Sequence, residues 1–167
     1  WLQNKRSEYW DLDEVDKKIL NILQSNGRIT NAKLAAEVGV SPPTMLERVK
    51  RLERTGIIKR YVALVDLDKV GKGALAIVAV SLALHQLSSL DRCKKEISQL
   101  DEVLECYHVS GEEDFALKVA VKNVKEYENF VVNKLARIQG VTKIKTTFVL
   151  STVKFNTKVV VEKQLPT

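Results

Sequence analysis

A chain of 167 residues with 45% apolar content and a formal charge of +6 can build one ordinary domain or two small ones. No secretory signal is read, and the longest nearly unbroken apolar run, residues 74–84, is too short to cross a bilayer, so no membrane partner is expected and a cytoplasmic location is. Cys93 and Cys106 show neither CxxC nor metal-ligand spacing, which excludes a disulfide framework and a zinc site and leaves no metal or cofactor expected.

The first residues, with Trp1, Tyr9 and Trp10, carry no period and read as an N-terminal arm over 1–12, a cloning remnant or a family-specific extension. Asp13 then caps a first helix in which Val15, Ile19, Ile22 and Leu23 recur along one face. That helix ends near Asn26-Gly27, where glycine can take the left-handed conformation. Thr30 or Asn31 caps a second helix with Leu34, Ala35 and Val38 inward, and Gly39-Val40-Ser41 is a turn. Ser41 caps a third helix, Pro42 sits where its missing N–H costs nothing, and Gly56 stops the run. The core face of this helix reads as Leu46, Val49 and Leu52, joined by Met45.

Helix, helix, short turn and helix is the layout of a helix-turn-helix DNA reader, here over residues 13–60. The outer face of the third helix offers Pro43, Thr44, Glu47, Arg48, Lys50, Arg51 and Arg54. Between residues 42 and 60, Arg48, Lys50, Arg51, Arg54, Lys59 and Arg60 oppose only Glu47 and Glu53, so most of the net positive charge gathers there. A basic helix by itself is a solvated surface with Glu47 and Arg51 as an i,i+4 pair worth only ~0.3 kcal/mol. Behind two helices at this spacing it points to a polyanion, double-stranded DNA.

After Arg60 the period changes. Residues 61–65 are a short extended segment and 66–73 a linker with a turn, giving a linker over 61–73. Strand (75–84), helix (89–100), strand (103–109), strand (115–121), helix (124–138) and a long strand (141–153) follow, with 157–161 as a possible edge strand. Two βαβ units in tandem give the ferredoxin-like βαββαβ layout over 74–163. In the first strand both alternating rows are nearly all apolar, so cover is expected on both faces of the sheet, by a second copy packed sheet to sheet, with packing of the N-terminal domain as the alternative.

The runs Asp16-Lys17-Lys18-Ile19-Leu20-Asn21-Ile22-Leu23-Gln24, Gly27-Arg28-Ile29-Thr30-Asn31, Ser41-Pro42, Arg48-Val49-Lys50-Arg51-Leu52-Glu53 and Gly56-Ile57-Ile58 with Tyr61 resemble the feast/famine regulators, the Lrp/AsnC family of transcription factors. The resemblance runs from about residue 12 to 160. It implies an α+β protein: an N-terminal winged helix-turn-helix domain and a C-terminal RAM-type βαββαβ domain for effector binding and oligomerisation. It implies homodimers that assemble to octamers and DNA contacts from Ser41, Pro42, Pro43, Thr44, Glu47, Arg48, Lys50, Arg51 and Arg54.

The family's V-x-G-x-x-D stretch, which helps hold a small effector, usually an amino acid, between dimers, falls on Val109, Gly111 and Asp114, with Tyr107 and Ser110 beside it and Thr146 matching the family's threonine. Taken alone, the same stretch is a hairpin loop with a turn glycine. Two further readings stay open. An effector-independent architectural DNA-binding protein would share the DNA-reading residues. The sirohaem decarboxylases share the two-domain layout, but a strongly basic third helix serves no purpose in such an enzyme, and His85 and His108 have no nucleophile or carboxylate pair near them in sequence. No catalytic residue is assigned.

Overall fold

The computed structural model describes residues 12–83 and 87–162. The aromatic arm, Leu84, His85 and Lys163 lie outside that range. The chain divides into two compact units: residues up to Ala63 together with those from Lys154 onward, and Leu64–Val153 between them.

In the first unit each helix starts on the cap its sequence offers. Asp13 accepts the Asp16 N–H at 2.8 Å and opens α1 (Glu14–Ser25). Thr30 opens α2 (Asn31–Val38), which closes on Gly39 at φ +86. Ser41 accepts the Thr44 N–H at 3.4 Å and opens α3 (Pro42–Arg54), with proline in the first turn. Ile19, Leu20, Leu34, Ala35, Val38, Met45 and Leu52 form the core, and Leu12 packs on its edge instead of belonging to a separate arm.

Two sequence expectations change here. Met45, not Leu46, is the inward residue of α3: Met45, Val49 and Leu52 follow the i, i+4, i+7 row, and Leu46, turned ~100° away, is 45% exposed. Gly27 is not the left-handed terminator of α1, which closes at Asn26 through an N–H bonded to the Ile22 carbonyl at 2.9 Å. A Cβ at this position would sit in ordinary contact, 3.5 Å from the Tyr61 ring. That ring's hydroxyl donates to Glu53 at 2.9 Å, and burial together with the Glu53 carboxylate pushes it up to about 12.

The second unit is a four-stranded antiparallel sheet in the order β2-β3-β1-β4, from β1 (Ala74–Leu82), β2 (Val103–His108), β3 (Phe115–Val121) and β4 (Val141–Phe148). Two helices, α4 (Leu87–Ser98) and α5 (Val124–Asn133), cover one face. There the inward row Ala76, Val78, Val80 and Leu82 meets Cys93, Ile97, Tyr127 and Phe130. The α+β class and the βαββαβ order are those read from the sequence.

Several boundaries differ. The helix expected to 138 breaks at Lys134 into a 3-10 turn, Leu135–Arg137, after the β-branched pair Val131-Val132 weakens its last turn. β4 stops at Phe148, opposite Ala76, and one further bond, from the Val149 N–H to the Leu75 carbonyl at 2.9 Å, continues toward the start of β1. The possible edge strand over 157–161 does not join the sheet, and those residues belong to the first unit. The uncovered face is also less apolar than expected. Leu75, Ile77 and Ala79 make a central stripe, but Lys143, Lys145 and Thr147 stand beside it on β4, and Glu105 and Tyr107 lie beyond it on β2.

Candidate nucleic-acid interface and ligand loop

The α2–α3 turn is held by Asn31, whose Nδ2 donates to the Pro42 carbonyl at 2.9 Å, and by Ser41 Oγ, 2.8 Å from Thr44 Oγ1. With Met45, Val49 and Leu52 inward, the helical repeat turns Pro43, Glu47, Lys50 and Arg54 furthest from the core, and all four are exposed. Ser41, Pro42 and Thr44 are exposed at the N-terminal end of the same helix, where the positive end of the helix dipole favours an anion, although Pro42 and Pro43 carry no N–H and Ser41 caps that of Thr44.

The sequence reading set Arg48 and Arg51 on that outer face too; the structure turns both toward α1. Arg48 Nη1 lies 2.6 Å from Asp13 Oδ2 and 3.1 Å from Asp16 Oδ1, and Arg51 Nη2 lies 2.5 Å from Asp16 Oδ2. Asp16 is fully buried, so its two oxygens depend on these guanidiniums. Arg48 and Arg51 therefore first of all dock the third helix on the first, although Arg51 keeps about half of its side chain in solvent. The Asp16 N–H and then Arg48 hold the Asp13 carboxyl below the usual carboxylate range. That contribution to stability is present above the ordinary carboxylate pKa and is lost as pH falls through the lowered value. Asp16 was missed by sequence reasoning. Its signal is a carboxylate within the apolar row Asp16, Ile19, Leu20 and Leu23 of α1.

The loop between β2 and β3 is tied down from three directions. The Val109 N–H donates to the Asp114 carbonyl at 3.0 Å, the Asp114 N–H to the Val80 carbonyl at 2.9 Å, and the Leu82 N–H to Asp114 Oδ2 at 2.7 Å. Asp114 thus anchors the end of β1 through one carboxylate oxygen, a role the sequence reading did not give it. Gly111 sits at φ +132, which a side chain resists, while the space around it is open. Ser110 and Tyr107 are exposed beside it, so Tyr107, Val109, Ser110, Gly111 and Asp114 share one end of the sheet.

Thr146 does not join them within one chain. It pairs with Val78, four residues along β1 from Leu82 and so ~13 Å away, and its hydroxyl bonds the Tyr127 hydroxyl on the helix-covered side. Among the described residues no cluster of three or more His, Cys, Asp or Glu is arranged to hold a metal ion. Burial pushes the Cys93 thiol up to about 11, away from the reactive thiolate.

Two family models match the chain: Lrp/AsnC ligand binding domain over residues 75–159 and winged helix-turn-helix DNA-binding over residues 12–59. The leucine-responsive regulatory protein of Escherichia coli K12 is 35% identical over 161 residues, covering 96% of this chain and 98% of that protein. A transcriptional regulator of Neisseria meningitidis solved as its L-methionine complex superposes with a TM-score of 0.84 at 34% identity, covering 89% of this chain and 96% of that one. The feast or famine regulatory protein of M. tuberculosis complexed with L-methionine gives 0.82 at 28% identity, covering 89% and 99%.

Proposed function

Since the chain belongs to the Lrp/AsnC family of transcriptional regulators, we propose that it acts in the cytoplasm as a homodimer, assembling further to octamers, that grips double-stranded DNA with α3 under the control of a bound amino acid. The observation that carries the DNA reading is the capped, proline-started α3 with Pro43, Thr44, Glu47, Lys50 and Arg54 outward. Two such helices in a dimer meet half-sites one helical turn, ~34 Å, apart. The apolar stripe Leu75, Ile77 and Ala79 supports the dimer, since burying it needs a second sheet.

Lys50 and Arg54 have no ion pair among the described residues, so replacing both by alanine should leave the folding midpoint unchanged. DNA affinity should drop by ~1–3 kcal/mol for a side chain that reads a base edge, and for phosphate contacts the log-log salt slope should flatten by about one per residue. Fluorescence anisotropy across a salt series decides this. Unchanged affinity and slope would remove α3 as the reader.

For the effector, the support is the open, anchored loop around Gly111, the exposed Ser110 and Tyr107, and the methionine bound in two similar proteins. Thr146 enters this reading only as a second-face contributor, through its bond with Tyr127 or from a neighbouring subunit. In a thermal-shift screen of the twenty amino acids, one or a few should stabilise the wild type and do so less in Gly111→Ala, whose added methyl obstructs backbone approach at a strained φ. Coupling of ~1–3 kcal/mol to DNA affinity is expected. No stabiliser at millimolar concentration, in protein free of co-purified ligand, would favour the effector-independent architectural reading.

A further inference from the structure

The last described residues return to the first helix. Asn21 donates from Nδ2 to the Val161 carbonyl at 3.0 Å and accepts the Val161 N–H at Oδ1, also at 3.0 Å. Gln24 repeats the exchange with Val159, donating at 2.7 Å and accepting at 2.7 Å. Both polar groups of two alternate residues on an extended segment are thereby satisfied, as a neighbouring β-strand would satisfy them, but by two carboxamides on a helix.

The spacing explains why one is asparagine and the other glutamine. Residues i and i+3 of a helix are ~4.5 Å apart along its axis, whereas i and i+2 of a strand are ~6.6 Å apart. The additional methylene of Gln24 supplies most of the difference. Recognition is of backbone: Val159 and Val160 point largely into solvent, and only Val161 packs against the edge of the helical core. A segment held by four exposed or half-buried hydrogen bonds and one valine opens readily.

The path of the chain gives this clasp a consequence. The chain passes into the sheet unit at Leu64 and leaves it at Val153, so two segments join that unit to the helical one. With 159–161 seated on α1, both segments end on the helical core; with the clasp open, only the segment before Leu64 does.

We propose that the α1 surface bearing Asn21 and Gln24 is a receptor for extended backbone, that its occupant is residues 159–161 of the same chain, and that occupancy makes DNA binding depend on half-site spacing. The last clause rests on the proposed DNA reading. Heads held by two segments keep their third helices at a set separation; heads held by one adjust to whatever separation the DNA presents.

The test uses the full chain with Asn21→Ala/Gln24→Ala, both favourable substitutions in a helix. Amide hydrogen exchange in the wild type should show protected Val159 and Val161 flanking a fast Val160, independent of protein concentration, and the variant should lose both protections at least tenfold. Val159→Pro, which deletes one donor and leaves α1 untouched, should reproduce the loss at Val161, position 159 then having no amide to exchange.

On operators with native half-site spacing or with about half a turn inserted, the wild type should discriminate at least tenfold and either variant less than threefold. Retained protection in the double variant, protection that vanishes on dilution, or released residues with undiminished spacing discrimination would each overturn the proposal. A wild type that binds no DNA defeats the DNA reading instead, and the exchange pattern still decides whether the clasp exists.

Discussion

Arg48→Ala/Arg51→Ala should unfold the helix-turn-helix unit under conditions where the wild type is stable. Asp16 has no exposure and no other ion-pair partner among the described residues, so the double variant strands a carboxylate in the interface between α1 and α3. Removing the partners of a buried charge costs ~3–5 kcal/mol, and a unit of this size has little more than that to lose. Urea unfolding followed by far-ultraviolet circular dichroism should show the helical transition moved to much lower denaturant. Adding Asp16→Asn to the same chain should restore part of the midpoint, since a neutral amide needs far less solvation than a carboxylate. A double variant with the wild-type midpoint and only its DNA affinity lost would show that the two arginines are readers first and that the contacts to Asp16 are incidental.

The second large effect is expected in the sheet. Phe115→Ala removes the largest fully buried side chain among the described residues, next to the residue that anchors β1 and tilted against the ring of His108 at a centroid distance of 5.5 Å. A Phe→Ala change in a packed core costs ~3–5 kcal/mol, depending on how far the site collapses. The variant should lose oligomer by light scattering and lose any amino-acid response, while the helical signal of α1–α3 persists to higher urea. Affinity for a two-half-site operator should fall toward that of a single head. Coincident loss of both signals would mean that the two units do not unfold separately, contrary to their division at Leu64 and Val153.

Much of this was legible because it is local. Asp13, Thr30 and Ser41 each cap a helix through a neighbour three residues on, and the short-range signals of Gly39 and Gly56 mark α2 and α3 correctly. The βαββαβ order follows from periods of two and 3.6 in turn. What escaped depends on partners remote in sequence. Whether Arg48 faces DNA or α1 is decided by an aspartate 32 residues earlier. Met45 and Leu46 are both apolar, and only the packing of α3 on the other helices says which is inside. Thr146 is a strand residue in either case, but the register with Val78 puts it on the helix side and away from the loop it was grouped with. Asn21 and Gln24 look like ordinary solvent-facing helix residues until a segment some 140 positions later is laid across them.

That separation also sets an order of events during synthesis. The three helices of the reader emerge first, and Val159 follows roughly 100 residues after Ile58, a delay of ~5–20 s at ordinary elongation rates. For that interval Asn21 and Gln24 are matched only by water, and the sheet unit is synthesised before the segment that seats on α1 exists. A nascent chain therefore has a reading helix long before it has a second attachment. Ribosome-bound chains carrying a C-terminal extension, stalled with residues 159–161 inside the exit tunnel or clear of it, should differ in the protease resistance of α1, with the step falling at the clasp and not at the end of α3.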